Sequence, residues 1–396
     1  MSTDVSPSPT RGKVSLRRLL ALLNVFVLAS VLFLGIPFVH EAYRELPIAR
    51  RFRPVAPLPS IAPPYAGVME KRGQWPSSWN SSGIVAGEFD EQLKGIEVVQ
   101  SQHFGPDLSM SERGTVTVRD GRMVNTALTF NIVEQNLAVY RLDGADVLIR
   151  CDAATNRIVA ECPANDRLSW SYSPPEALQP PIGISTGLDP SGAPVVVVCD
   201  IDGPTRLLSD RGEVIAELAS DPPQRYLVAE LHENPGHELF LLPRDVSGFA
   251  IYALDGSQLT AKPIDLRGAV PLSAVPSRRG SKDFGVRLDF PSGYPLRLAL
   301  ADGSLEDLAG EVAFHQSHGW IARSHYAILE SGWTIVLDWS TIFLLDEEGL
   351  VVDYVSVRPA MATAVAAAPP GCGFDFVVEV QDRNQMRAQL LKYRLP

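Results

Sequence analysis

An aspartate-led turn recurs at a nearly constant interval through the second half of this 396-residue chain. Asp210, Asp255, Asp302 and Asp346 each stand between two short apolar runs, and they are 45, 47 and 44 residues apart. A period of about 40 to 50 residues that contains four short strands is typical of a β-propeller blade. The repeat therefore predicts an all-β fold in which four-stranded blades form a ring.

A pair of β-sandwiches is the alternative, because sandwiches also place a strand every ~8 to 12 residues. A sandwich has no reason to repeat at a fixed interval of 44 to 47 residues, whereas stacked blades do. The 30 glycines and 32 prolines agree with a turn-rich chain, and almost nothing beyond Thr115 has the periodicity of a helix. The periodicity favours the propeller.

The chemistry of the turn is local. An Asp carboxylate can accept a hydrogen bond from the backbone N–H two residues on, and a Gly or Asn near the end of the turn can take the positive φ that closes the hairpin. The residues predicted to take this conformation are Gly212, Gly256, Gly303, Gly349 and Asn156.

One hairpin carries a resemblance to a known repeat. The sequence CDAATNRIVAEC, from Cys151 to Cys162, resembles the strand-D-A-A-T-G-K-strand hairpin of PQQ-like and WD40-like propeller repeats, with Asn156 and Arg157 in place of Gly and Lys. The resemblance covers this clear repeat and four degenerate ones, and it implies architecture only. A quinone-binding propeller would be expected to have a neighbouring Cys-Cys pair and many blade tryptophans, so no cofactor is expected here.

The strands of one blade can be assigned in full. They are Arg225–Leu231, His237–Leu242, Phe249–Leu254 and Gln258–Ile264. Two blades later, the inner strand is expected within Val312–Ile321.

The chain ends just after Gln389–Arg394, which the pattern makes the third strand of the last blade. Its exposed edge would invite aggregation. We therefore expect a strand from the N-terminal side, such as Thr115–Val118 or Met123–Phe130, to complete that blade. The count is six blades, with seven as the alternative.

The N-terminal part of the chain predicts a membrane anchor. Leu19–Val39 contains 21 residues without a charge, which is long enough to cross a hydrocarbon core of ~30 Å. Arg17 and Arg18 adjoin this run and favour a cytoplasmic N-terminus. Cleavage as a signal peptide is the alternative, but the best cut, after Ala42, has poorly suited residues before it.

The boundaries that follow are a basic cytoplasmic tail at 1–18, the anchor at 19–39, a proline-rich linker at 40–65 and the propeller with an N-terminal strap at 66–396. Arg53–Tyr65 has five prolines in thirteen residues, and such a segment is a semi-rigid spacer. The chain is thus expected to be a single-pass protein of the cell membrane, bound to the lipid bilayer, with its body periplasmic or extracellular. The net charge of −11 argues against a nucleic-acid partner and for a dispersed, monomeric body.

Two histidine clusters are the weak candidates for a metal site. His315, His318 and His325 lie in HQSHGWIARSH, and His237 lies with His232 in HENPGH. Neither has the helical HExxH spacing, and no Cys is near enough to complete a tetrahedral site. Solvated loop histidines are the plainer interpretation.

The four cysteines are not expected to form a local disulfide. If Asp152 pairs with Arg157 across the turn, Cys151 faces Ile158 and is too far from Cys162 for a bridge. Cys151 and Cys199 are then small buried apolar residues, and Cys372 is a loop thiol.

The sequence contains no GxSxG, GxxxxGK[ST] or GxGxxG motif, so no catalytic residue is assigned. Trp75 and Trp79, in GQWPSSWNSSG, either pack on the propeller as part of the strap or form an exposed contact for a partner.

Two functions follow. The favoured one is a membrane-tethered, extracytoplasmic scaffold that binds a protein or ligand without catalysis, with a protein partner expected. The alternative is an extracytoplasmic hydrolase or lyase with a His/carboxylate or metal site in the propeller mouth. Clustering of the histidines and acidic residues around one pocket would favour the enzyme.

Overall fold

The computed structural model describes residues 67–77, 81–89, 96–102, 113–119, 129–131, 137–152, 155–178, 182–200, 203–218, 223–279, 283–290, 295–308, 310–312, 314, 326–338, 340–358, 360–382 and 387–396. The predicted anchor Leu19–Val39 and the proline-rich segment Arg53–Tyr65 lie outside these residues. Within the ranges given, no helix is both long and apolar enough to cross a membrane.

The described strands form seven four-stranded antiparallel sheets, which are the blades of a propeller. Strand β1 is Glu70–Ser77. Blade 1 consists of β2 (Ser81–Gly87), β3 (Glu97–Gln102), β4 (Arg113–Arg119) and β5 (Thr129–Asn131). Blade 2 consists of β6 (Leu137–Leu142), β7 (Ala145–Asp152), β8 (Arg157–Glu161) and β9 (Trp170–Tyr172), with a 3-10 turn at Asp166–Leu168. Blade 3 consists of β10 (Ile182–Leu188), β11 (Pro194–Asp200), β12 (Thr205–Ser209) and β13 (Val214–Leu218).

The remaining blades follow the same plan. Blade 4 consists of β14 (Pro223–Ala229), β15 (Glu238–Pro243), β16 (Gly248–Ala253) and β17 (Gln258–Pro263). Blade 5 consists of β18 (Ser273–Arg279), β19 (Asp283–Asp289), β20 (Leu296–Ala299) and β21 (Leu305–Asp307). Blade 6 consists of β22 (Tyr326–Ile328), β23 (Thr334–Asp338), β24 (Thr341–Leu345) and β25 (Val351–Ser356). Blade 7 consists of β26 (Met361–Ala367), β27 (Phe376–Asp382), β28 (Arg387–Arg394) and β1.

The ring closes through β1, which pairs with β28 from Glu70↔Arg394 to Ser77↔Ala388. The prediction that a strand from the N-terminal side completes the last blade is therefore confirmed. The strand is β1, however, and neither of the two segments that were predicted. Thr115–Val118 lies inside β4, and β5 takes the end of Met123–Phe130. Both strands lie in blade 1, a separate four-stranded sheet formed with β2 and β3, so the described sheets number seven, the alternative count, rather than six.

Burial falls from the middle of each blade to its outer edge. Every residue of β11 is buried, whereas four of the five residues of β13 are exposed or half-buried. Apolar side chains fill the spaces between neighbouring blades, and one cluster extends from blade 4 through blade 5 to Tyr326 and Ile328 of blade 6. Since each blade buries its faces against its neighbours, the core is a continuous ring.

The predicted inner strand at Val312–Ile321 is wrong, because the first strand of blade 6 is β22. Phe314 instead packs against Phe343 of β24, with their ring centres 5.0 Å apart. The buried guanidinium of Arg287 lies 4.3 Å above the Phe314 ring and donates to the Val312 carbonyl. Val312 and Phe314, the two described residues of this segment, thus pack between blades 5 and 6 outside the sheets.

The turn chemistry follows the sequence closely. Asp255 and Asp302 each accept from the N–H two residues on, at 2.8 Å. In the Asp210 turn the hydroxyl of the preceding Ser209 accepts instead, and Asp346 accepts from Leu350. All five residues predicted to have positive φ do so, from Asn156 at 54° to Gly256 at 90°.

These turns also join the blades. A Cβ on Gly256 would lie 2.5 Å from the Cβ of Ala216 in the outer strand of blade 3, and a Cβ on Gly212 would lie 2.5 Å from the ring of Trp170 in blade 2. Each glycine therefore meets two requirements, the positive φ and the close approach to the preceding blade.

The antiparallel blades give the ring two faces. The turn face carries the connections between the first and second strands and between the third and fourth strands of each blade. The loop face carries the connections between the second and third strands and those that lead to the next blade.

Candidate binding surfaces

Four large hydrophobic side chains are exposed among the described residues, and they lie at the turn face of two adjacent blades. They are Leu188, Val214, Ile215 and Leu259, with exposed fractions of 40%, 46%, 38% and 37%. Leu188 ends β10, Val214 and Ile215 begin β13, and Leu259 is near the start of β17. We call this set the apolar rim.

The turns beside the apolar rim are acidic. In the turn-face connections of blades 3 and 4, at 189–193, 210–213, 230–237 and 254–257, six residues are Asp or Glu and one is Arg. The acidic residues are Asp189, Asp210, Glu213, Glu230, Glu233 and Asp255. A surface that combines exposed apolar side chains with this charge suits a partner that is itself both basic and apolar.

Asp189 shows how the carboxylates are held in place. Its Oδ1 accepts from the backbone N–H groups of Ser191 and Ala193 at 2.8 and 2.9 Å, and from the Ser191 hydroxyl at 2.6 Å. Partial burial acts to raise the pKa of Asp189, but these hydrogen bonds outweigh it and hold the pKa below its usual value. The carboxylate therefore stays ionised at neutral pH.

His237 links blades 3 and 4 at this surface. Its ring Nδ1 accepts from the Leu188 N–H at 3.0 Å, and its backbone N–H donates to the Leu188 carbonyl at 2.8 Å. Burial lowers the pKa of His237, so the ring is neutral at pH 7. Through these two contacts with Leu188, His237 joins the two blades.

His232, five residues earlier, is exposed, and its Nδ1 accepts from the Asn234 N–H at 3.3 Å. His315, His318 and His325 lie outside the described residues. The strands on either side of that segment, β21 and β22, end and begin at the loop face, whereas His237 is at the turn face. No group of three or more His, Cys, Asp or Glu that could hold a metal occurs within the described ranges.

A groove of about 750 Å³ opens between blades 6 and 7 at the turn face. Two turns and the C-terminus build it: Leu329–Trp333, the connection from Ala368 to Asp375, and Arg394–Pro396. We call it the 6/7 groove. A smaller cavity of about 370 Å³ lies beside Phe249 on blade 4.

Backbone hydrogen bonds fix the walls of the 6/7 groove. The Leu329 N–H donates to the Trp333 carbonyl at 2.8 Å, and the Leu395 N–H donates to Asp375 Oδ2 at 2.7 Å. Trp333 is half-buried, and Gly371 and Gly373 have open space where a Cβ would point. Hydrogen bonds thus hold both sides of the groove, and the two glycines leave space beside the blade 7 connection.

Cys372 lies in the same connection, and its thiol contacts the carbonyls of Pro369 and Phe374. Burial raises the pKa of this thiol, so it is protonated at neutral pH and is a poor nucleophile. The three other cysteines are buried, and none of them is in a disulfide. The predicted register is confirmed, since Cys151 pairs with Ile158 and Asp152 with Arg157.

Trp75 is not an exposed contact for a partner. Its side chain lies in β1 with an exposed fraction of 6%, edge-on to Phe374 at 5.7 Å and beneath Lys392, whose Nζ is 4.4 Å from the ring centre. The interpretation in which the indole packs on the propeller is the correct one. Trp79 lies outside the described residues.

Sequence reasoning missed both the apolar rim and the 6/7 groove. The signal for the rim was present in Val214 and Ile215, two consecutive large apolar residues directly after a turn, where alternation would leave one of them exposed. The groove had only Pro369 and Pro370 beside Gly371 as a signal, and the neighbouring wall with Trp333 is about 40 residues away in sequence.

The likeness to known proteins is one of fold. No protein-family profile matches the sequence, and no match was found among curated proteins. Two structures of BBS1N in complex with ARL6DN, one soaked with mercury and one with lead, match 83% of this chain and 97% of their own, with TM-scores of 0.55 and 0.56 and identities of 13% and 12%. The Cps50 (Swd1) β-propeller domain of Myceliophteria thermophila matches the same share of this chain and all of its own, with a TM-score of 0.49 and 8% identity. The seven four-stranded sheets themselves show that the fold is a β-propeller.

Proposed function

We propose that this protein is a non-catalytic scaffold that binds a protein partner through the apolar rim of blades 3 and 4. The observation that carries the proposal is that all four exposed large hydrophobic side chains of the described residues lie at one face of two adjacent blades. Exposed apolar groups gathered on a soluble domain mark interaction sites, whereas isolated ones do not. The acidic turns around them select for a basic partner.

The likeness to BBS1N supports a scaffold by analogy, because BBS1N was crystallised in complex with another protein, ARL6DN. The enzyme alternative has less support. His237 is bound to backbone, and the thiol of Cys372 is held protonated. Among the described side chains the acidic groups of the turn face lie on separate turns around blades 3 and 4, and they do not converge on one pocket with a base.

The proposal includes a membrane tether. Leu19–Val39 would cross the bilayer, Arg17 and Arg18 would keep the N-terminus in the cytoplasm, and the proline-rich segment would separate a monomeric body from the membrane outside the cytoplasm. Such a tether would confine the acidic surface to partners at the same membrane.

A photo-crosslinking amino acid in the full-length protein in native membranes tests the binding surface. Placed at Ile215, it is expected to give a discrete adduct with one protein. Placed at Gln389, an exposed position on β28 of blade 7, it serves as the matched control and is expected to give none. The triple variant V214S/I215S/L259S, with the crosslinker moved to Gln258, should lose the adduct by about tenfold or more without a change in melting temperature, because these side chains are exposed. Equal adducts at both positions, or an adduct unaffected by the triple variant, would exclude this surface.

A reporter that is active only in the cytoplasm, fused after Pro396, tests the orientation separately. We expect no activity from this fusion, because the charges beside the predicted span favour a cytoplasmic N-terminus and the sequence has no second apolar run of that length. The same reporter fused before Met1 is the control and should be active. Activity from the C-terminal fusion would reverse the predicted topology.

A further inference from the structure

The chain enters the propeller beside the 6/7 groove. Strand β1 begins at the turn face, where Glu70 pairs with Arg394. Just before it, the Met69 N–H donates to Asp353 Oδ2 at 2.8 Å, which fixes Met69 against blade 6. Val68 and Met69 belong to the same apolar cluster as three groove residues, Leu329, Trp333 and Leu395. Whatever precedes Gly67 in the chain therefore leaves from the rim of this groove.

The lining of the groove has the chemistry of a polyproline site. Trp333 offers an aromatic face, and Pro369, Pro370 and Leu395 offer apolar walls. Glu330 lines the groove and is exposed, and Asp375 lines it with its carboxylate accepting from the Leu395 N–H. Grooves lined by aromatic side chains recognise polyproline II segments, because such segments are already extended and lose little entropy on binding.

The segment directly before this point has the matching sequence. Arg53–Tyr65 reads RPVAPLPSIAPPY and ends two residues before Gly67. Its five prolines favour polyproline II, and thirteen residues at about 3.1 Å each span roughly 40 Å, which is ample to fold back over an adjacent groove. Arg53 would bring a positive charge to a groove whose lining has two acidic side chains, Glu330 and Asp375, and one basic side chain, Arg394.

We propose that Arg53–Tyr65 docks in the 6/7 groove of its own chain. Attachment next to the groove gives the segment an effective concentration in the millimolar range, so even a weak intrinsic affinity would keep the groove occupied. The inference concerns blades 6 and 7 and does not depend on the apolar rim.

Disulfide trapping in the full-length chain in lipid nanodiscs tests the docking. Pro59→Cys is paired with Gly371→Cys in a background of Cys372→Ser, with the three buried native cysteines kept. Gly192→Cys in place of Gly371→Cys is the matched control, because Gly192 is also at the turn face, has a similar φ of 86° against 88°, and has open space around it. We expect the 59–371 disulfide to form at least about tenfold faster than the 59–192 disulfide, as the difference in effective concentration requires.

Two further variants separate docking from chance contact. The first variant replaces four prolines of the segment with Gly: Pro54, Pro57, Pro63 and Pro64. These positions lie outside the propeller, so its folding should be unchanged, and the variant should abolish the preference for Gly371→Cys. Trp333→Ala should do the same, with the melting temperature as the check on folding. Equal rates at positions 371 and 192, or a preference that survives both variants, would overturn the proposal. A 59–371 disulfide found only between two chains would also overturn it and assign the groove to a second copy.

Discussion

Glu379 is a fully buried carboxylate at the junction where blade 7 meets blade 1. Its Oε2 accepts from Nε2 of Gln100 in β3 at 2.8 Å, and its Oε1 accepts from Nε2 of Gln381 at 2.5 Å. Burial raises the pKa of Glu379 to about 7, although the hydrogen bonds from the two amides act in the opposite direction. One charged group at the closure of the ring therefore changes its protonation within the physiological range.

The raised pKa predicts that the protein becomes less stable as the pH rises. Glu379 loses its proton near pH 4.5 in the unfolded chain and near pH 7 in the folded protein. Between these two pH values the folded state therefore binds more protons than the unfolded state. The contribution of Glu379 to the free energy of unfolding is fully present below about pH 4.5 and is lost as the pH rises through 7. Glu238, whose pKa burial raises to about 7, acts in the same direction. Urea unfolding can be measured at pH 5.8 and at pH 7.8, both above the isoelectric point of 5.2. The free energy of unfolding should be lower at pH 7.8 by on the order of 1 kcal/mol.

Glu379→Gln should remove about half of this slope, because Gln does not titrate and Glu238 still does. Glu330→Gln, at an exposed position, is the control and should leave the slope unchanged. An E379Q protein with the wild-type pH dependence would show that the carboxylate does not titrate at the junction.

At the scale of the strands and turns, the sequence predicts well what is decided locally. The assigned strands of blade 4 agree with β14–β17 to within two residues at each end. The positive φ of Asn156 and of the four turn glycines was predictable, because turn chemistry depends on a few adjacent residues. The register Cys151↔Ile158 followed in the same way from the turn that precedes it.

The errors arose where distant contacts decide the structure. The Asp152 turn joins the second and third strands of blade 2, whereas the Asp210, Asp255, Asp302 and Asp346 turns join third and fourth strands, so Asp152 lies outside the period of 44 to 47 residues. Local sequence does not distinguish these two positions in a blade. Likewise, nothing near Phe314 indicates that Arg287 and Phe343 would hold it between two blades.

The candidate sites were harder to predict than the strands for the same reason. The 6/7 groove exists because turns from two blades and the C-terminus meet, and its walls are brought together only by closure of the ring. The sequence left open whether Trp75 packs on the propeller or is exposed, and only the pairing of β1 with β28, which buries it against Phe374, decides between the two. A motif search has no means of detecting a surface of this kind.

At the scale of the whole molecule, the two ends of the described chain form one blade. Blade 7 takes three strands from the C-terminus and β1 from the N-terminal side, so it joins the ends without a covalent bond. Apolar contacts of Trp75, Ile84 and Val98 with Val377 and Leu390 continue this closure into blade 1. Because every blade buries its faces only against its neighbours, opening the ring at one junction exposes two of them at once.

Truncation after Asp382 should therefore destabilise blades that are far from the deletion. It removes β28, leaves β1 without its partner and turns β27 into an edge strand, so blade 7 loses two of its four strands. We expect the amides of β15 in blade 4, which is three blades away, to lose most of their protection from hydrogen exchange, because the ring unfolds as one cooperative unit. Truncation after Arg394, which keeps β28 and its pairing with β1, is the control and should preserve that protection. If the β15 amides exchange at the wild-type rate in the shorter protein, the blades are independent units and closure by β1 stabilises only its own sheet.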